Sequence, residues 1–195
     1  MYTFPTKKQA EQGFALLLSI IISSIVLAIG VSLLHLSISQ INLASNARES
    51  EIAFQSSHAG IDCLWYWRND NTTKTSFTTS AGAPQLNCFG SNSIANVHQP
   101  TINQSGGIAD QYDYTFNWSS NDRCTQVTMY IMRSSSLAVM LWDLSSINEG
   151  IGTNGVKSCD ADGICTIIVS RGYNRACANI GTSIFTIQRE ITFEF

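Results

Sequence analysis

The six cysteines are the residues of this sequence with the clearest chemical capacity, since a thiol either binds a metal or forms a disulfide. No two of them form a CxxC motif, and the three histidines lie far apart, so the spacing of a zinc site is absent. An even number of cysteines, all after the longest apolar stretch, predicts disulfides in an oxidising compartment. The six are Cys63, Cys88, Cys124, Cys159, Cys165 and Cys177.

The pairing of the cysteines is only partly indicated by the sequence, because six cysteines allow about fifteen pairings. Cys159 and Cys165 are the closest pair and flank an Asp-Gly dipeptide, which is a hairpin-turn signal, so we expect this disulfide first. Elimination then gives Cys63 with Cys88 and Cys124 with Cys177. The connectivity beyond the first pair stays open at this point.

Other groups with possible chemistry are better explained as structural. Residues 160–163 alternate Asp before Gly as a calcium loop does, but the later oxygen ligands and the Glu at its twelfth position are absent, so we expect a turn. The chain has no GxSxG motif and no P-loop. His98 is the one plausible loop histidine, and Asp110 and Asp113 are expected to flank a strand. We therefore predict no enzyme activity, no cofactor and no metal.

The charge balance argues against nucleic-acid binding as a general property. The 195 residues include 11 Lys and Arg against 14 Asp and Glu, a formal net charge of -3, and the isoelectric point is about 5.5. Phosphate neutralisation needs clustered basic residues, and the only basic run is the pair Lys7 and Lys8. We expect no nucleic-acid partner by default.

One long apolar stretch must position everything that follows it. Residues 14–36 are 23 positions without a charged side chain. As a helix they extend roughly 35 Å, enough to span a bilayer once, and no second stretch of this kind exists to make a multi-span transporter. Lys7 and Lys8 before the stretch predict a cytoplasmic N-terminus and an exported remainder.

The same helix is expected to continue beyond the membrane. Residues 37–67 contain no proline, and apolar side chains recur at intervals of three, four or seven among polar ones. A continuous helix over residues 14–67 would measure about 80 Å, which is unusual for a globular protein. Its amphipathic half, residues 37–67, is predicted to pack on the rest of the chain.

The junction before the apolar stretch, from Lys7 and Lys8 through Gly13 and Phe14, resembles the class III leader of type IV pilins and type II secretion pseudopilins. The resemblance implies that residues 1–13 are a prepilin leader, that a prepilin peptidase cuts between Gly13 and Phe14, and that the new N-terminus is methylated. It also implies that other pilin subunits pack against this chain through the N-terminal helix.

Leu18 departs from the pattern of that family, in which most members carry a Glu at the fifth mature position. A carboxylate in hydrocarbon is costly unless paired, so its absence matters. Subunits without it resemble PilX-type minor pilins and the tip-capping pseudopilin. Small residues, among them Ser23, Ser24 and Gly30, would allow close helix approach in the membrane.

Residues 68–195 are predicted to form a disulfide-pinned β head. Strand patterns occur at residues 112–118, 124–132, 137–144, 165–170 and 183–195, whereas residues 69–82 and 90–107 are polar and predicted to be loops. Most of the head's aromatic residues are expected to fill its core, with a surface or carbohydrate-binding patch as the alternative. The predicted fold class is α+β, a long N-terminal helix packed on an antiparallel sheet as in pilins.

The leading functional hypothesis is a structural subunit of a type IV pilus or related filament. The resemblance favours a minor pilin that acts in pilus assembly, with adhesion or DNA uptake as further possible roles. Such a protein would reside in the cytoplasmic membrane as a single-pass protein and then join a cell-surface filament. The alternative is a single-span, membrane-anchored extracytoplasmic binding or sensor protein that does not polymerise.

Overall fold

A computed structural model describes residues 7–71, 77, 82–104, 107–118, 120–134, 140–143, 156–159 and 163–195 of the chain. Within these ranges the description covers only the backbone of residues 7–13, 95, 98–104, 107–108, 134, 140–143 and 156–159. The described residues form one long N-terminal helix and an antiparallel sheet of five strands, which confirms the predicted α+β fold class.

Helix α1 spans Lys7–Asn69 and is longer at both ends than the sequence predicted. Serine hydroxyls in its apolar part donate to carbonyl oxygens three or four residues earlier at 2.8 to 3.0 Å, so they are satisfied without water. The backbone nitrogen of Asp70 donates to the carbonyl of Tyr66 at 2.9 Å and closes the last turn. These serines are Ser19, Ser24, Ser32, Ser37 and Ser39.

The strands of the described residues follow the helix. The main sheet has the order β3-β4-β5-β8-β9 and all its neighbours are antiparallel. Two small sheets pair β1 with β2 and β6 with β7. The bounds are β1 Asn87–Cys88, β2 Ser91–Asn92, β3 Ala95–Gln104, β4 Gly107–Asn117, β5 Cys124–Ser134, β6 Met140–Asp143, β7 Val156–Cys159, β8 Ile164–Tyr173 and β9 Gln188–Glu194.

The predicted loop at residues 90–107 is wrong, because it contains β3. This strand lies at the edge of the sheet and carries no run of alternating apolar residues, so its residues contain no strand signal. Its register with β4 shifts between Gln99 and Ile102, around Pro100, which has no N–H to donate. The other predicted loop, residues 69–82, lies mostly outside the described residues. The predicted strand at residues 183–195 is shorter, since β9 begins at Gln188.

The chain divides into two compact units, Met1–Ala47 and Arg48–Phe195. Within the second unit, the helix lies so close to the sheet that only small residues fit between them. A Cβ atom on Gly172 of β8 would collide with backbone atoms of Ala53 and Ser57. A Cβ on Gly60 would meet the side chains of β5 and β8 instead. The hydroxyl of Thr125 donates to the carbonyl of Ser56 at 3.2 Å across this interface.

Buried aromatic residues fill the space beyond the close contact. Alternate residues of β4 point inward, so Tyr112, Tyr114 and Phe116 are all buried, as period two requires. Phe77 packs edge-on against Tyr112, with ring centroids 5.4 Å apart. The expectation that most aromatics form the core therefore holds for this group. The remaining core members include Ile61, Leu64, Leu86, Val127, Met129, Ile131 and Ile168.

Two disulfides between described side chains tie the second unit together. Cys63, near the end of α1, is bonded to Cys88, with Cα atoms 6.2 Å apart. Cys124 is bonded to Cys177, with Cα atoms 4.8 Å apart. These are the two pairings that elimination gave. The predicted Cys159–Cys165 bond involves a side chain outside the described residues, although Cys165 is itself disulfide-bonded.

Candidate functional site

The first candidate site is the surface of α1 before the packed segment. All 18 large apolar side chains between Phe14 and Leu43 are exposed. This helix is long and apolar enough to cross a membrane. Leaving so many apolar side chains in water is unfavourable by tens of kcal/mol, on the order of 1.5–3 kcal/mol for each. This surface therefore requires lipid or other helices around it.

The residues predicted to be processed lie in the first turns of this helix. The backbone of Lys7, Lys8 and Gly13 is helical and continues without a break into Phe14. Phe14 is exposed, as is Leu18 one turn later. The junction itself is thus a stretch of regular helix.

Of the small residues predicted to allow helix packing, only some lie on the same side of α1. Gly30 lies in a shallow apolar groove of 580 Å³, and a Cβ there would meet nothing within 4 Å. Ser23, seven residues earlier, shares that helix face. Ser24 lies about a quarter-turn away, and its hydroxyl donates to the carbonyl of Ile21 at 2.8 Å.

A buried ionic cluster lies at the end of α1, and the sequence did not indicate it. The Nη2 atom of Arg133 lies 2.9 Å from the Oδ2 atom of Asp110 and also donates to the carbonyl oxygen of Phe77. That carbonyl oxygen accepts a second hydrogen bond, from the hydroxyl of Tyr112 at 2.9 Å. Arg68 is only 6% exposed, and burial followed by repulsion from Arg133 lowers its pKa. Burial and the charge of Asp110 raise the pKa of Tyr112 to about 12. The cluster joins the helix end to β4 and β5.

An apolar groove lies beside the last strand and was also missed. Its volume is 340 Å³, and helix residues line one wall while residues of β9 line the other. Trp65 is 48% exposed and Phe193 is 40% exposed. At the rim, the Nδ1 atom of His58 lies 3.5 Å from the Oδ2 atom of Asp62. The full lining is His58, Ile61, Asp62, Trp65, Ile191 and Phe193.

The residues considered for catalysis or metal binding are dispersed. His58 is on the exposed face of α1, Asp110 belongs to the ionic cluster, and Asp113 accepts a hydrogen bond from Thr128 at 2.7 Å. The side chain of His98 and residues 160–162 lie outside the described part. No group of three His, Cys, Asp or Glu residues in that part is placed to hold a metal ion.

No family model, curated protein or solved structure matches this chain. The fold and the apolar surface define an α+β protein with one N-terminal helix suited to a membrane, and two disulfides join described residues of the second unit.

Proposed function

We propose that this protein is a minor subunit of a type IV pilus-like filament, held in the cytoplasmic membrane before assembly. The observation that carries the proposal is the exposed apolar surface of α1 from Phe14 to Leu43, on a helix whose later segment packs on a β-sheet. Lipid would cover this surface before assembly and neighbouring helices would cover it afterwards. The free energy gained by burying this surface is tens of kcal/mol, which exceeds the free energy of unfolding of an ordinary domain.

Three features of the sequence give the proposal its direction. Lys7 and Lys8 precede the apolar surface and favour a cytoplasmic N-terminus. Gly13 and Phe14 occupy the positions between which the class III leader, which this junction resembles, is cut. Leu18 cannot form the carboxylate–amine pair of most pilins, so this subunit would be a minor component and not the repeating one. The disulfides of the head fit an oxidising space outside that membrane.

The direct test is intact-protein mass spectrometry of the chain purified from membranes of its natural host. We expect a chain that begins at Phe14 and carries one additional methyl group. Gly13→Val should remain unprocessed, while Gly181→Ala, a glycine with open space around it, should be processed normally. A chain that retains Met1 contradicts the proposal and favours the non-polymerising anchor, and a chain cut after Leu36 contradicts it as well.

Sheared filaments provide the second test. A minor subunit should co-purify with them in amounts far below that of the main subunit, by quantitative immunoblotting. The Gly13→Val variant should be absent from the filaments and retained in the membrane. Equal amounts of variant and natural chain in the filament fraction would contradict assembly through the processed helix.

A further inference from the structure

Two adjacent apolar residues stand out from the head. Ile184 is 90% exposed and Phe185 is 69% exposed, and we call this pair the apolar knob. Among the described residues, no other large apolar side chain is as exposed as that of Ile184, including those of the membrane-suited part of α1. Protruding apolar side chains of this kind mark surfaces that bind another molecule or a membrane.

The backbone of the knob is hydrogen-bonded within the chain. The carbonyl oxygen of Phe185 accepts from the side-chain nitrogen of Asn174 at 3.1 Å, and its backbone nitrogen donates to the hydroxyl of Ser183 at 3.3 Å. The side-chain oxygen of Asn174 accepts from the backbone nitrogen of Ile187 at 2.7 Å. Because both backbone groups of Phe185 already have partners, this residue can leave water without losing a hydrogen bond.

The composition of the loop fits lipid better than a protein partner. Residues 176–188 include no charged side chain. Protein partners are typically bound by an apolar centre within a polar rim in which arginine is common, whereas a charged side chain in lipid is unfavourable. The charged residues beside the base of the loop nearly balance, so the apolar side chains must provide the contact. They are Arg48, Glu49, Glu51, Arg175 and Arg189.

The knob lies at the end of the second unit where the helical segment of that unit begins. This segment begins at Arg48, and its first turn holds the base of the knob. The carboxylate of Glu49 accepts from Asn174 at 2.9 Å, and the hydroxyl of Ser50 accepts from Arg189 at 2.9 Å. The knob is therefore close to the point at which the chain enters the head.

The chain that enters the head comes directly from the apolar surface of α1. Leu43 is the last exposed residue of that surface and precedes Glu49 by six residues. Six residues span at most about 20 Å in any conformation. The distance from the base of the knob to Leu43 is limited accordingly.

The apolar surface is also longer than the hydrocarbon that it would cross. As a helix, residues 14–43 measure roughly 44 Å, whereas the hydrocarbon of a bilayer is about 30 Å thick. A helix with such an excess tilts, which keeps its apolar end close to the lipid headgroups. The membrane that surrounds α1 is therefore the apolar environment nearest to the knob along the chain.

We propose that the apolar knob inserts into the surface of the membrane that holds α1. Ile184 and Phe185 enter the lipid between the headgroups, and the remainder of the head stays in water. This contact rests on the membrane-held state of the proposed function and on no later step. Failure of the processing test leaves it standing, and a knob that stays in water leaves the filament proposal standing.

Photo-crosslinking in phosphatidylcholine vesicles tests what the knob meets. The full chain would carry benzoyl-phenylalanine in place of Phe185. After illumination, we expect an adduct heavier by one phospholipid, with the added mass on the peptide that contains residue 185. Crosslinking of residue 185 to protein alone overturns the proposal and identifies a protein partner instead.

The matched control carries benzoyl-phenylalanine in place of Ile164. Ile164 is an exposed apolar residue at the other end of β8, about 30 Å along the strand from Tyr173. It should give at least about tenfold less lipid adduct, because burial of one aromatic ring favours the inserted state by that factor. Equal amounts of lipid adduct at the two positions overturn the proposal.

Fluorine nuclear magnetic resonance measures the depth of the knob without a reaction. The probe is trifluoromethyl-phenylalanine at residue 185 or, as the control, at residue 164 of the full chain in the same vesicles. A nitroxide on the first carbons of the lipid chains should broaden the signal of residue 185, whereas aqueous Ni²⁺ on both sides of the membrane should broaden that of residue 164. If Ni²⁺ broadens the two signals equally, the knob is in water and the proposal fails.

Removal of the neighbouring side chain tests whether the two residues insert together. Ile184→Ser should make the probe at residue 185 more sensitive to Ni²⁺, because half of the apolar knob is lost. Ile164→Ser should leave that sensitivity unchanged, and both variants should keep the near-ultraviolet circular dichroism spectrum of the natural chain. Equal sensitivity to Ni²⁺ in the two variants contradicts joint insertion.

Discussion

Gly172 of β8 carries the closest approach between the helix and the sheet. A methyl group at this position would collide with backbone atoms of Ala53 and Ser57, and backbone cannot move aside by changing a rotamer. Overpacking a well-filled site costs about 1–3 kcal/mol, and here the rigid neighbours favour the upper end. We therefore expect Gly172→Ala to lower the free energy of unfolding by about 3 kcal/mol.

The assay is thermal unfolding of the full chain in detergent micelles, followed by near-ultraviolet circular dichroism, which reports on the packing of the head. For a chain of this length, 3 kcal/mol corresponds to a fall in Tm of about 6–12 °C. Gly181→Ala is the matched control, since a Cβ there meets nothing within 4 Å, and its effect should stay within about 0.5 kcal/mol.

Comparing the Tm values of the Gly172→Ala and Gly181→Ala variants tests whether α1 packs closely on β8. If Gly172→Ala and Gly181→Ala unfold at the same temperature, α1 does not lie against β8 as described, and the packing argument fails. Gly60→Ala should fall between them, because the atoms that it would meet belong to side chains that can shift.

Three further results are expected from unfolding and titration experiments on the full chain. Replacing Cys124 and Cys177 by serine opens a link between residues 53 apart in sequence and should cost about 4 kcal/mol in urea unfolding; an unchanged midpoint would contradict a stabilising link. Tyr112→Phe removes a buried hydrogen bond and should cost about 1 kcal/mol, whereas Tyr114→Phe should be neutral or stabilising, because its buried hydroxyl has no partner among the described residues. Burial raises the pKa of Tyr112 and Tyr130 from 10.0 to about 12, so the stability that their neutral forms contribute should be complete below pH 10 and be lost between pH 10 and pH 12. Titration of the Tyr112 or Tyr130 ring well below pH 12 without unfolding, followed by site-specific nuclear magnetic resonance, would contradict this.

The long helix and the central strands were accessible from sequence because their signals are local. The absence of proline after the apolar stretch predicted one helix, and α1 extends from Lys7 to Asn69. Alternating aromatics predicted the strand that became β4, and residues 124–132 became most of β5. In β4 one face of the strand is buried, so the period of the pattern is visible in the sequence. In β5 the face of Val127, Met129 and Ile131 carries the same period, although Tyr130 and Met132 on the opposite face are buried too.

The parts that could not be foreseen depend on contacts between distant residues. Strand β3 has a polar sequence and is held by backbone pairing to β4, which leaves no periodic apolar pattern. Gly172 is indistinguishable in sequence from a turn glycine until the register of β8 against α1 is known. Arg68 and Ile184 were likewise missed, because a buried arginine and an exposed isoleucine both contradict the usual preference of their residue types.

The contacts that hold α1 against the sheet have a kinetic consequence. Thr125 bonds to Ser56 across 69 residues of sequence, Asn174 to Glu49 across 125, and Arg189 to Ser50 across 139. Chains dominated by such distant contacts fold slowly, over milliseconds to seconds, because the entropy of closing large loops is lost before the contacts form that compensate for it. During that interval the helix face around Ala53 has no sheet to cover it, so the newly made head depends on being kept from aggregation until β8 and β9 have joined.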